Sequence, residues 1–164
     1  MAIMRSAVVL IPLLLLVCIL DTGETCAPNE ELTETDCGGW YLYPNDRAMK
    51  YFSNAKNWYE AQRECKKLNG YLLTVRTPEE TNCVIKMLAK NRQQYSGPMW
   101  IGIRKTGPIF ADVDGYPINQ NYWASNQPRF NTGCVFVSSA IPGRVGSHNC
   151  FDKLHFLCLR KIWK

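Results

Sequence analysis

The sequence predicts an α+β fold with two helices and small antiparallel sheets, and three observations carry that expectation. Apolar residues recur at helical spacing between Ala55 and Asn69, a second helix is announced by a cap at Thr77, and strand-like runs separated by long loops fill the chain beyond Pro98. No internal repeat or low-complexity tract interrupts the pattern.

The first element is the leader. Met1 to Ser6 carries one cation, Arg5, and Ala7 to Leu20 is a run of fourteen uncharged residues broken by Pro12. A membrane helix needs about 20 apolar residues, so the run is short for a span. With small residues near Gly23 it predicts a secretory signal peptide over residues 1–23, and with it a secreted, extracellular protein. Residues 24–36 then form a short lead, residues 37–161 a single domain and residues 162–164 a tail.

Within the domain, Trp40 to Phe52 is rich in Tyr, Trp and Phe, which predicts short strands about a turn at Pro44-Asn45-Asp46. Trp58, Ala61, Cys65 and Leu68 place one buried face on a helix over Ala55–Asn69, with Gly70 as its stop. A strand follows at Tyr71–Val75. Thr77-Pro78-Glu79-Glu80 supplies a cap, a first-turn proline and first-turn acids, and Val84, Ile85 and Leu88 carry the second helix to about Asn91. Trp100–Ile103, Val135–Val137 and Phe156–Leu159 read as strands, and Gly107–Thr132 as a long Gly/Pro/Asn-rich loop.

Charge and cysteine usage exclude several classes. The net charge is +5, and losing Arg5 and Asp21 with the leader leaves it unchanged. Lysines and arginines are scattered, which describes a solvated basic surface rather than a nucleic-acid stripe. Of eight cysteines, Cys18 lies in the leader and seven remain: Cys26, Cys37, Cys65, Cys83, Cys134, Cys150 and Cys158. An odd number in an oxidising compartment leaves one thiol free or bonded to a second chain. Zinc is a poor alternative, because paired short spacings are absent and His148 and His155 do not complete a ligand set. Ser147, His148 and Asp152 lie close in sequence, but no nucleophile elbow accompanies them, so no enzyme is expected. Asp112 and Asp114 lack the further acids of a calcium loop and read as a polar turn. No Asn-x-Ser/Thr acceptor is present.

Four motifs in order resemble the C-type lectin-like domain family: W-Y-E-A-Q-R-E-C-K-K-L-N-G-Y-L-L from Trp58 to Leu73, W-I-G-I from Trp100 to Ile103, Asp114-Gly115 followed by Trp123 and Pro128, and C-F-D-K-L-H-F-L-C from Cys150 to Cys158. The resemblance spans about Cys37 to Lys161 and implies the family's fold, with a long loop region anchored by disulfides. It implies the pairs Cys65–Cys158 and Cys134–Cys150, leaving Cys26, Cys37 and Cys83. Cys26 and Cys37 are close enough in sequence to pair, but the usual cysteine before Tyr51-Phe52 is replaced by Met49-Lys50, so the pairing of Cys37 stays open.

In calcium-dependent members of that family, acids and amides stand at the positions matched here by Gln127-Pro128-Arg129, Thr132 and Val145-Gly146-Ser147. Only Gln127 and Pro128 survive. Calcium takes six to eight oxygens, several of them carboxylates, so no calcium and no other cofactor is expected. Recognition would then fall to Asn126, Gln127, Arg129, Asn131, Tyr116, Phe130, Arg144 and His148, between amides that suit sugars and arginines that suit anions. Trp58, Trp100 and Trp123 are assigned to packing, while Tyr116, Tyr122 and Phe130 stay open between core and contact. Two functions follow: carbohydrate binding without calcium, or a protein-binding module of the same fold. The partners are a glycan or extracellular glycoprotein and a disulfide-linked second chain, with no nucleic acid and no membrane span.

Overall fold

The computed structural model describes residues 39–90 and 97–162. The leader, the lead and the expectations for Cys26 and Cys37 lie outside the described residues.

Strand β1 (Tyr41–Tyr43) and strand β2 (Arg47–Lys56) form a hairpin. Its turn is where the sequence places it: Asn45 and Asp46 both take left-handed backbone angles, φ 62° and 52°, which these residues tolerate best after glycine. Helix α1 runs Trp58–Lys67, shorter at both ends than the apolar repeat suggests, because Ala55 and Lys56 extend β2. A reciprocal cap sets its start. Asn57 Oδ1 accepts from the Glu60 amide at 3.0 Å, and Glu60 Oε2 accepts from the Asn57 amide at 3.2 Å. The left-handed residue that stops the helix is Asn69, φ 57°, one position before Gly70. Gly70 is needed for a different reason: it opens strand β3 (Gly70–Leu72), and a Cβ there would sit 2.3 Å from the Leu159 carbonyl oxygen.

Helix α2 (Pro78–Lys90) begins as its sequence predicts, with Thr77 Oγ1 accepting from the Glu80 amide at 3.2 Å. Strands β4 (Met99–Thr106), β5 (Ile109–Asp112), β6 (Cys134–Val137), β7 (Val145–His148) and β8 (Leu154–Lys161) follow. The α+β class with two helices stands, and its eight strands join in one mixed sheet, ordered β1-β2-β8-β4-β6-β7, with β3 paired to β8 and β5 to β4. The β4–β8 pair is parallel, Met99 opposite His155 and Trp100 opposite Phe156. It can be parallel because the whole long loop and β6–β7 intervene as the crossover. The Gly/Pro/Asn-rich span between Gly107 and Thr132 contains β5 and a short 3-10 turn, Gln120–Tyr122. Strand β7 also escapes a reading of the sequence, since V-G-S-H has no alternation to announce it.

Trp58, Ala61 and Cys65 turn the buried face of α1 toward Leu72, Trp100 and Phe156. Beneath α2, Val84, Met87 and Leu88 pack with Met99, Ile101, Val135 and Leu157. A buried ion pair, Arg47 with Glu80, ties β2 to the first turn of α2, and Arg47 Nε also donates to the Pro44 carbonyl at 2.8 Å. Cys65–Cys158 and Cys134–Cys150 are both formed, across 93 and 16 residues of sequence. Cys83 is disulfide-bonded as well. No helix among the described residues is long and apolar enough to cross a membrane.

Candidate functional site

The long loop is fastened at four levels. Cys134–Cys150 closes its base. Trp123 pairs in parallel with Val145, and the Ala124 amide donates to the Val145 carbonyl at 2.9 Å. Arg144 donates to the Asn121 carbonyl, so its guanidinium staples the loop's first turn instead of standing free for a ligand.

The fourth fastening is at Ser147, which β7 holds buried. Gln127 Oε1 accepts from the Ser147 amide at 2.8 Å and from its hydroxyl at 2.9 Å. Ser147 Oγ in turn accepts from the Arg129 amide at 2.7 Å. The Thr132 hydroxyl lies 2.6 Å from both Ser147 Oγ and the Arg129 carbonyl oxygen and donates to one or the other. Gln127, Arg129 and Thr132, close together in the loop, are therefore joined with the distant Ser147 in one hydrogen-bonded knot. Pro128, joined by a cis peptide bond, sits on it.

These donors do not fit calcium. The knot contains one amide oxygen, two hydroxyls and no carboxylate, and its oxygens are already engaged with one another. Among the described residues no group of three or more His, Cys, Asp or Glu could hold a metal ion. The space is gone too: a Cβ built on Gly146 would lie 2.4 Å from Cζ of Phe136, so the aromatic ring stands where a larger side chain at position 146 would begin.

What the knot presents is a crest. Asn126, Arg129, Phe130 and Asn131 are all exposed, Phe130 by 93 %. Asn126 and Asn131 take left-handed angles, φ 60° each, and turn the chain on either side of it. The other two expected contacts fall elsewhere. Tyr116, 60 % exposed, is covered on one side by the Arg76 guanidinium at 4.4 Å from its ring centre. Burial disfavours the Arg76 charge, but hydrogen bonds to Asp112 and Asp114 outweigh it and hold the guanidinium above its ordinary pKa range. Asp112 Oδ1 also accepts from the Asp114 and Tyr116 amides, so the two acids form the polar turn that the sequence suggests. His148 braces its own turn: its ring meets Trp100 and Phe136 edge-on, and Nδ1 lies 2.9 Å from Asp152 Oδ2 and 2.8 Å from the Asn149 amide, the tautomer deciding which it bonds.

The three tryptophans assigned to packing are buried, with exposures of 8 % or less, and Tyr122 is half-buried against the core. Thr132 and Ser147 enter a sequence reading only as positions that lack an acid. Their role as the centre of the knot has no local signal, because the partners are 15 and more residues apart.

The geometry has counterparts. Residues 54–160 match the family model described as Lectin C-type domain. A C-type isolectin, Sp-CL4, from Scorpaena plumieri is 29 % identical over 143 residues, covering 83 % of this chain and 99 % of the isolectin. Among solved structures, the mouse scavenger receptor C-type lectin carbohydrate-recognition domain superposes with TM-score 0.66 at 18 % identity, covering 78 % of this chain and 98 % of that one. A calcium-independent type II antifreeze protein superposes with TM-score 0.63 at 19 % identity, covering 82 % and 99 %.

Proposed function

Because the chain belongs to the C-type lectin domain family, we propose that it is a secreted recognition protein that binds carbohydrate through the crest of its long loop, without calcium and without catalysis. The observation that carries this reading is the knot at Ser147: hydrogen bonds among Gln127, Arg129, Thr132 and Ser147 do the holding that a metal would otherwise do. The family's relatives include lectins, which supports a sugar ligand. A calcium-independent type II antifreeze protein shares the fold, which supports the metal-free part of the reading.

On this reading the crest supplies two kinds of contact. Phe130 offers a ring face for the apolar side of a pyranose, and Asn126, Arg129 and Asn131 offer donors around it. Among the described residues the Arg129 guanidinium has no acidic partner, so it is available for a carboxylate or sulfate on the glycan. The same near-complete exposure of Phe130 favours a second reading, a protein partner with an acid-rimmed pocket, since exposed aromatics and arginines concentrate at interface hot spots. The odd cysteine of the mature chain adds a disulfide-linked second chain to the proposal.

A glycan array probed with and without chelator, at low and high salt, tests it. Chelator-indifferent binding that weakens with salt is expected. Binding that chelator abolishes would overturn the proposal, and an array with no signal beside capture of an extracellular protein would favour the second reading.

A further inference from the structure

We propose that a groove beside the long loop is a separate binding site for a small anion with a compact apolar body. The groove has a volume of about 320 Å³ and opens between the β4–β5 hairpin and the segment carrying Gln120, Trp123 and Pro128. Small-molecule sites span roughly 300–1,000 Å³, so it holds one or two rings with a short substituent rather than a polymer.

Its lining is chemically lopsided. Phe110 and Trp123 meet edge to face, ring centres 5.0 Å apart, and Ile109 on the rim is 48 % exposed, a large aliphatic side chain left in water on a strand. Prolines complete the walls, and they offer few hydrogen-bond partners to a hydroxyl-rich sugar. Lys105 is the only charged residue among the described residues that line the groove, and its ammonium makes no ion pair among them. Gln120 adds one amide. A lone cation at the edge of an apolar groove selects for an anion attached to an apolar group, and against the same group bearing a positive charge.

The walls are also fixed before any ligand arrives. Lys105 lies opposite Phe110 in the β4–β5 ladder, the Ile118 amide donates to the Phe110 carbonyl at 2.9 Å, and Ala111 bridges Pro117. Trp123 is pinned from the other side by Val145. Little ordering is left to oppose binding. The groove meets the Ser147 knot at Pro128, but its cation, amide and rings lie on other residues than the crest, so this inference stands whether or not the crest of the long loop binds a glycan.

Indole-3-acetate tests it, with indole-3-acetamide as the neutral match and tryptamine as the cation of similar shape, each titrated into the isotope-labelled mature protein and followed by amide chemical shifts. Saturable shifts at Lys105, Ile109 and Gln120 are expected with indole-3-acetate, about fivefold weaker binding with the acetamide and none with tryptamine. Lys105→Gln should remove the preference for the acetate over the acetamide. Ile109→Asp should abolish binding of both with an unchanged melting temperature, since Ile109 is a rim residue. No saturable shift by about 5 mM acetate, a weak-binding limit on the affinity scale, would overturn the proposal. Shifts that map outside the groove, or a Lys105→Gln protein that keeps the parental preference, would overturn it as well.

Discussion

The buried Ser147 hydroxyl donates to Gln127, accepts from the Arg129 amide and lies within bonding distance of the Thr132 hydroxyl, so one small side chain holds the loop segment 127–132 against β7. Ser147→Ala leaves the Arg129 amide without its acceptor, and a cost of about 1–3 kcal/mol is expected in a thermal or urea melt. Arg129→Ala should instead leave the melt unchanged, because its amide makes the structural bond and its guanidinium is exposed; binding by the crest should fall roughly ten- to a hundredfold, with Arg129→Lys recovering part. Tyr43 carries a pH dependence. Burial pushes its hydroxyl well above the usual tyrosine pKa, the Glu80 charge adding to the rise and Arg47 opposing it. Below about pH 10 both folded and unfolded chains keep the proton; above it the unfolded chain loses it first, so the folded state binds more protons and stability declines as pH climbs toward the folded pKa. Tyr43→Phe should therefore be less stable near neutrality by about 1 kcal/mol, having lost the 2.8 Å bond to the Thr74 carbonyl, yet lose less stability than the parent between neutral and strongly alkaline pH. Melts across that range check both halves.

Among the elements, those with local chemistry were legible in the sequence and those built by distant partners were not. Thr77-Pro78-Glu79-Glu80 starts α2 where it should, and Asn45-Asp46 turns the first hairpin, because caps and turns are settled within a few residues. The start of α1 was misplaced by three residues: helical periodicity runs back to Ala55, but pairing of Lys56 with Leu154 of β8 holds that segment extended. Strand β7 and the buried Arg47–Glu80 pair left no trace in the sequence, since each exists only through residues far along the chain. Of the candidate site, the loop and its missing acids were legible and the Ser147 knot was not. The two disulfides act on this same division. In the chain-entropy picture Cys65–Cys158 contributes about 4–5 kcal/mol and Cys134–Cys150 about 3 kcal/mol. Replacing Cys134 and Cys150 together by serine should lower stability by the smaller amount and weaken crest binding disproportionately, because that bond fastens the base of the long loop while Cys65–Cys158 ties α1 to β8. Melting curves set beside binding curves for the two double variants distinguish these effects.

For the molecule as a whole, calcium is expected to leave the melting temperature where it was. Millimolar calcium on a micromolar site would add about 4 kcal/mol, several degrees in a domain of this size, so a shift that chelator reverses would be plain and would overturn the metal-free reading. With the leader removed as proposed, seven cysteines remain, and the protein is expected to migrate as a dimer on non-reducing gels and as a monomer after reduction; a monomer with one alkylatable thiol would overturn the dimer. One feature of the sheet bears on how such copies could be arranged. Strand β8 begins just past Cys150 and finishes at Lys161 opposite Arg47, where the Ile162 amide returns to the Asp46 carbonyl at 2.8 Å. Eight residues of strand span about 25 Å, so β8 is a strut with the loop's anchor at one end and the exit of the described fold at the other. Anything leashed beyond Ile162, whether a second copy, a surface or a fused carrier, pulls on that pole and leaves the crest aimed outward, so an array of tethered copies would present many crests in one direction and trade weak single contacts for avidity.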